Sequence, residues 1–188
     1  LMVDPTTNRL YVSDGYGNRR VVMVDAATGK YIDHFGAYGN NPVDDKAAAA
    51  AGPWMNDFTK GNMKPAFFRN PVHCVKVSKE GLIYVCDRGN NRIQVFNSKD
   101  PNLGKECANP SAEAGKCGFV KEQQVAIKTN GLPGSAVSMN FSTDAKQSCL
   151  YIGDNSNMTI YILNRDNLQE LGRLGRSGRD AGRPGPRR

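Results

Sequence analysis

Residues 83–97 read Ile83-Tyr84-Val85-Cys86-Asp87-Arg88-Gly89-Asn90-Asn91-Arg92-Ile93-Gln94-Val95-Phe96-Asn97. Two runs of β-branched and aromatic residues flank a short polar segment. Such side chains suit a pleated, half-buried surface, and their period-two alternation is the mark of a strand. Gly and Asn supply the backbone freedom a tight turn requires. The stretch is therefore predicted to be an antiparallel hairpin. In it the Asp87 carboxylate accepts hydrogen bonds from backbone N–H groups of the turn, and Arg92 lies across the neighbouring unit.

The same pattern occurs twice more. Leu10-Tyr-Val-Ser-Asp14 is followed by Gly-Tyr-Gly-Asn18-Arg-Arg20 and then Val-Val-Met-Val-Asp25. Leu150-Tyr-Ile-Gly-Asp154 is followed by Asn-Ser-Asn-Met-Thr159 and then Ile-Tyr-Ile-Leu-Asn164. Asp14, Asp87 and Asp154, with Arg20 and Arg92, are expected to hold the turns. A strand with its own turn precedes each hairpin: Leu1–Val3, Val72–Val77 and Ala136–Phe141. A fourth strand follows each: Tyr31–Phe35, Gly118–Glu122 and Gln169–Arg173. A repeated four-stranded unit is the blade plan of a β-propeller. The predicted fold class is all-β, an incomplete propeller of about three four-stranded antiparallel blades from a six-bladed parent.

The hairpin aspartates lie 73 and 67 residues apart, whereas a blade of this kind needs about 40–45. Insertions at 37–69 and 99–116 absorb the excess, leaving blades at about 1–36, 70–122 and 132–173. Trp54, Met55, Phe58, Phe67 and Phe68 give the first insertion enough apolar mass to pack as a lid. Residues 1–175 form the propeller part, and 176–188 a basic Gly/Arg-rich tail expected to be disordered. Three blades would leave open edges able to pair or oligomerise. Because Leu1 already stands in a strand-like run, the chain is expected to be a piece of a longer protein.

The formal charge of +7 is concentrated at one end. From Leu171 onward six arginines face one acid, which leaves nineteen basic against seventeen acidic side chains in residues 1–170. The body thus lacks the basic stripe of a nucleic-acid binder, and no specific nucleic-acid partner is expected. No apolar run approaches the length of a membrane span. The five cysteines form no CxxC pair. Cys107 and Cys117 bracket a Pro/Gly/Ala-rich loop, and pairing Ser78 with Leu82 sets Cys74 opposite Cys86. Both pairs suit disulfides in a secreted or periplasmic protein, the favoured reading, and the second also suits two buried thiols. Cys149 is left over and is expected in the core. Asn140-Phe-Ser142 and Asn157-Met-Thr159 match glycosylation sequons, a pattern common by chance.

The Asp-x-x-Asn-x-Arg-Ile/Val-x-Val-Phe pattern resembles the NHL repeat family. Within it, the first two blades look most like the propeller of peptidyl-α-hydroxyglycine α-amidating lyase and its bacterial relatives. The matching segments are 3–20, Asn70-Pro-Val-His73 and Cys86–Phe96. The resemblance implies a tri-histidine zinc site, with calcium as a further ion of a complete parent. It places Tyr16 at a catalytic tyrosine position, His73 as one zinc ligand and Arg88 as an arginine facing the substrate. Zinc would act as a Lewis acid toward a hydroxyl oxygen, with a tyrosine as base. The turn bearing Tyr16 is one residue longer than its counterpart after Asp87, which is expected to push Tyr16 toward the channel. The chain has only two histidines, His34 and His73, so it cannot hold such a site alone and no cofactor is assigned to it. Two functions follow as expectations. One is a secreted scaffold that binds a small molecule, peptide or protein at its channel face. The other is a fragment of a zinc-dependent amidating-lyase-like or lactonase-like enzyme, inactive in isolation.

Overall fold

In the computed structural model the described residues are 1–42, 67–105, 114–126 and 134–175. They form three antiparallel four-stranded sheets. The first holds β1 (Met2–Asp4), β2 (Arg9–Asp14), β3 (Arg20–Asp25) and β4 (Tyr31–Phe35). The second holds β5 (Val72–Val77), β6 (Leu82–Asp87), β7 (Arg92–Asn97) and β8 (Phe119–Gln124). The third holds β9 (Ala136–Phe141), β10 (Cys149–Asp154), β11 (Thr159–Asn164) and β12 (Glu170–Leu174). In every sheet the strands lie in chain order, as hairpin connections dictate.

The hairpins close in equivalent registers. Asp14 pairs with Arg20, Asp87 with Arg92 and Asp154 with Thr159. Each third strand also shifts register against its outer partner at the same place: Met23/Val24, Val95/Phe96 and Ile162/Leu163. One extra residue there increases the local twist, as a propeller blade requires. β5 touches both β1 and β9, so the first strand of each blade is the inner one and β4, β8 and β12 are outer.

Two apolar clusters hold the fan together. Between blades 1 and 2 lie Tyr11, Val21, Phe35, Ile83, Val85 and Phe96 among others. Between blades 2 and 3 lie Tyr84, Ile93, Val95, Leu150, Ile152 and Tyr161 among others. Blade 2 is thus covered on both faces. β6 and β7 accordingly read as continuous buried runs, not as alternating strands.

Cys74 and Cys86 sit directly opposite one another on β5 and β6 and form a disulfide. Cys117 is buried, while its candidate partner Cys107 lies outside the described residues. Cys149 is a free thiol and only half-buried, which corrects the expectation of a core position. Its side of β10 faces away from blade 2.

The tail 176–188 and the lid residues Trp54, Met55 and Phe58 also lie outside the described residues. The ends of the first insertion are described, and they are fixed. Residues 37–39 form a 3-10 turn that is buried, and the Phe68 ring packs 6.3 Å from that of Phe96. No helix among the described residues is long and apolar enough to cross a membrane.

Candidate functional site

The turns after β2 and β6 and the entries to β5 and β9 gather at one end of the blades. Gly15 sets the closest approach. A Cβ there would stand 2.1 Å from the Val72 carbonyl oxygen, so only glycine lets the turn of blade 1 lie on the start of β5. Tyr16 follows, and its ring meets His73 edge-on with 5.9 Å between centroids. Asn70 Nδ2 donates to the Tyr16 carbonyl at 2.7 Å, and Ser13 Oγ to the His73 carbonyl at 3.4 Å. Tyr16 is otherwise well exposed. The peptide bond Asn70–Pro71 is cis.

His73 is half-buried at the start of the inner strand. Its Nδ1 lies 2.6 Å from the Val137 carbonyl of blade 3. A carbonyl can only accept, so Nδ1 is the donor and the neutral ring keeps its lone pair on Nε2. Arg88 opens the 3-10 turn Arg88–Asn90 at the end of β6. Gly134 backs onto it so tightly that a Cβ would come within 2.1 Å of the Arg88 carbonyl oxygen. The Arg88 Nε is buried and has no hydrogen-bond partner among the described residues. His34, in contrast, lies on outer strand β4 with its Nδ1 against the Tyr31 hydroxyl. Among the described residues no group of three His, Cys, Asp or Glu could hold a metal ion.

The structural turn residues take different partners in the three blades. Asp154 accepts from the backbone N–H groups of Ser156 and Asn157, as expected of a turn aspartate. Asp14 accepts from the side chains of Asn18 and Arg20. Asp87 accepts from the Arg69 N–H, from Asn90 Nδ2 and, at 2.6 Å, from Arg92 Nε. Arg92 does not lie across a neighbouring blade. It turns into its own blade and the linker that precedes it, because acceptors wait there, among the described residues Asp87, Glu122, the Tyr38 hydroxyl and the Phe67 carbonyl.

Tyr38 was hidden in the first insertion, and Glu122 and Gln94 lay on strands. Together they complete the group. The Tyr38 hydroxyl donates to Glu122, Gln94 Nε2 donates to Glu122, and the Tyr38 N–H donates to Gln94 Oε1. Burial pushes the Asp87 carboxyl above its usual value, against the pull of Arg92, the Arg69 N–H and Asn90. Burial also raises the Tyr38 phenol, with Arg92 opposing and Glu122 assisting. Burial alone would lower Arg92; Asp87, Tyr38 and Glu122 hold it above its ordinary value. Tyr38 precedes the first insertion, and Phe67 and Arg69 follow it. Both of its ends are therefore fastened to the pair Asp87–Arg92. A polar residue such as Gln94, set between Ile93 and Val95 on a buried strand, is the sequence signal that could have pointed to this group.

The NHL repeat pattern matches residues 70–96, the hairpin of blade 2 with the strand that enters it. Over 166 residues the chain is 24% identical to peptidyl-glycine alpha-amidating monooxygenase B of Xenopus laevis, covering 88% of this chain and 15% of that protein. Over 104 residues it is 29% identical to the A form from the same animal, covering 55% of this chain and 9% of that one. The chain therefore spans only a small part of the relatives it matches. Among solved structures, hydrazine synthase of Kuenenia stuttgartiensis superposes with a TM-score of 0.55 at 14% identity, over 94% of this chain and 35% of that one. The β-propeller domain of Cps50 (Swd1) from Myceliophteria thermophila does so with a TM-score of 0.50 at 14% identity, over 92% and 41%. At that identity these two speak for the fold alone. The chain is an incomplete β-propeller carrying an NHL repeat, similar in sequence to a segment of the peptidyl-glycine alpha-amidating monooxygenases.

Proposed function

We propose that the blade end carrying Tyr16, His73 and Arg88 is one wall of an amidating-lyase-like site, to which this chain contributes a single zinc ligand. The observation that supports it most is the bond from His73 Nδ1 to the Val137 carbonyl. Imidazoles that bind metals are held in this way, the second ring nitrogen donating to a carbonyl or carboxylate. Zinc, where bound, would supply Lewis acidity toward a substrate hydroxyl oxygen. Tyr16 stands beside His73 and is well exposed, and as a phenolate it would take the proton of that hydroxyl. Arg88 offers a cation whose Nε is buried and has no hydrogen-bond partner among the described residues. The similarity to the amidating monooxygenases adds a substrate class: peptides ending in an α-hydroxylated glycine. The two further imidazoles of a tri-histidine set would come from outside residues 1–188. The setting is secreted or periplasmic, where the bond Cys74–Cys86 persists.

A binding-only role for the same surface is the second reading, favoured by the presence of one imidazole there. Nitrogen-15 NMR of the two histidine rings during a zinc titration separates the two. The lyase-like reading expects a proton on His73 Nδ1, zinc-induced shifts at His73 Nε2, and no response from His34. A proton on Nε2, or equal responses from both rings, would leave only the binding role.

A further inference from the structure

The matching registers make the junction of blades 1 and 2 comparable, residue by residue, with that of blades 2 and 3. Arg92 and Thr159 both open a third strand, so Gln94 and Tyr161 are equivalent. Their partners on the outer strands, Glu122 and Arg173, are equivalent too. On the opposite wall Phe35 pairs with Val21 as Gln123 pairs with Ile93. Each of these is followed three positions later by the residue that matters, Tyr38 in the first junction and Ala126 in the second.

The Tyr38 side chain fills the first junction at this level. Its hydroxyl accepts from Arg92 and donates to Glu122, and its ring stands edge-on to Phe119. Ala126 carries only a methyl group, and the second junction holds a cavity of about 550 Å³ at the same level. Gln123, Thr159, Tyr161 and Arg173 line it, as do Ala126 and Glu170. These are the counterparts of the residues around Tyr38. The turn beside the cavity is repeated as well, since Asn90 Nδ2 donates to Asp87 and Asn157 Nδ2 to Asp154.

The cavity also keeps the means of serving a hydroxyl group. Arg92 and Glu122 do this for Tyr38. In the second junction Arg173 and Glu170 lie at the exposed rim, joined by bonds of 2.7 and 2.8 Å. Tyr161 replaces Gln94 and adds an aromatic wall, with the Arg173 guanidinium 5.1 Å from its ring centroid. The volume lies within the range of about 300–1,000 Å³ usual for small-ligand sites. All seven tyrosines of the chain belong to the described residues, and of these Tyr161 alone lines the cavity, as a wall. A phenol that fills it must come from another molecule.

We infer that this cavity is a second binding site, which takes an aromatic ring carrying a hydroxyl group: a tyrosyl side chain or a small phenol. The ring lies against Tyr161, and its hydroxyl accepts from Arg173 and donates to Glu170. The site sits on the outer strands β8 and β12 and the strand β11 between blades 2 and 3, whereas His73 lies on the inner strand β5. It involves no zinc and does not rest on the lyase-like reading.

The test titrates the 188-residue chain with N-acetyltyrosinamide, N-acetylphenylalaninamide and p-cresol, followed by nitrogen-15 NMR of the Gln123 and Gln124 side-chain amides. Both phenols should shift these signals. The phenylalanine probe should bind roughly tenfold more weakly or worse, because it leaves the groups that meet the hydroxyl unpaired. Ala126→Tyr should place the chain's own phenol in the cavity and abolish binding. Arg173→Ala should weaken the tyrosine probe by roughly tenfold with an unchanged circular dichroism spectrum. If Ala126→Tyr fails to fold, Arg173→Ala carries the test. Tighter binding of the tyrosine probe than of p-cresol assigns the site to a peptide, and the reverse assigns it to a free phenol. No shift from either phenol at millimolar concentration, equal affinity for the phenylalanine probe, or binding indifferent to both substitutions would overturn the inference.

Discussion

Blades 1 and 2 close their hairpins with the same two residues, an aspartate at the end of one strand and an arginine at the start of the next. The contacts are similar, 2.9 Å for Arg20–Asp14 and 2.6 Å for Arg92–Asp87. The surroundings are not. The side chains of the first pair are 33% and 31% exposed, and those of the second 4% and 0%. The repeat therefore specifies a hairpin, and the residues that cover the turn, Tyr38, Phe67 and Glu122 in blade 2, decide what its ion pair is worth. Water screens the first pair, so a value of about 0–1 kcal/mol is expected for it. Removing one partner of the second leaves a charge with neither water nor a counter-ion. Arg92→Ala should cost about 3–5 kcal/mol, read from the denaturant midpoint of a variant whose unfolding slope is unchanged. A loss below about 1 kcal/mol would put the two turns on an equal footing and remove the contrast.

The next largest effect concerns the partner that only blade 2 recruits. The Tyr38 hydroxyl accepts from Arg92 and donates to Glu122. Burial keeps that phenol protonated, so it remains a donor. Tyr38→Phe preserves the ring set edge-on to Phe119 at 4.9 Å between centroids and deletes only the hydroxyl. Hydrogen bonds to charged groups are worth about 1.5–3 kcal/mol, and a loss in that range is expected in the same unfolding assay. Combined with Arg92→Ala, the two losses should fall short of their sum, because they share one network.

The contrast also shows where reading the sequence succeeds. Each hairpin is encoded in about fifteen consecutive residues, and alternation, turn residues and strand order were legible for that reason. The buried group was not. Tyr38, Gln94 and Glu122 are drawn from three distant parts of the chain, and nothing local to Tyr38 marks it as the partner of Arg92. The direction of Arg92 was misjudged on the same ground, since a linker supplied the acceptors that a neighbouring blade was expected to supply. In the candidate site, Tyr16 and His73 were named through the family pattern. Their contact depends on a backbone approach at Gly15 that no periodicity reports, and Val137, which orients His73, belongs to a different blade.

Gly15 gives the third prediction, and here blade 1 becomes the sensitive partner. The turn after β2 contributes little through its ion pair and much through its placement of Tyr16. A Cβ at position 15 would collide with the backbone of Val72, which cannot yield as a flexible side chain would. Gly15→Ala should cost on the order of 1–3 kcal/mol as an overpacking change. It should also abolish the nuclear Overhauser contact between the Tyr16 and His73 rings, while signals of the Asp87–Arg92 turn stay in place. Retention of the ring contact would show that the longer turn, not the glycine, sets Tyr16.

The smallest effect is the most direct probe of the screening argument. Arg20→Ala removes the exposed partner of Asp14, and Asn18 Nδ2 remains to serve the carboxylate at 3.0 Å. The expected loss lies within about 1 kcal/mol. It should shrink further as salt rises from 0.01 M to 1 M, where the screening length falls from roughly 30 Å to 3 Å. The cost of Arg92→Ala should change far less over the same range, because ions do not reach a pair enclosed by Tyr38, Glu122 and Phe67. Unfolding curves of both variants at the two salt concentrations measure this directly. If both costs fall in parallel with salt, the buried pair is accessible to solvent and the distinction between the two blades fails. If only the Arg20 cost falls, the same Asp–Arg pairing has two different energetic roles, set by what surrounds it in blades 1 and 2.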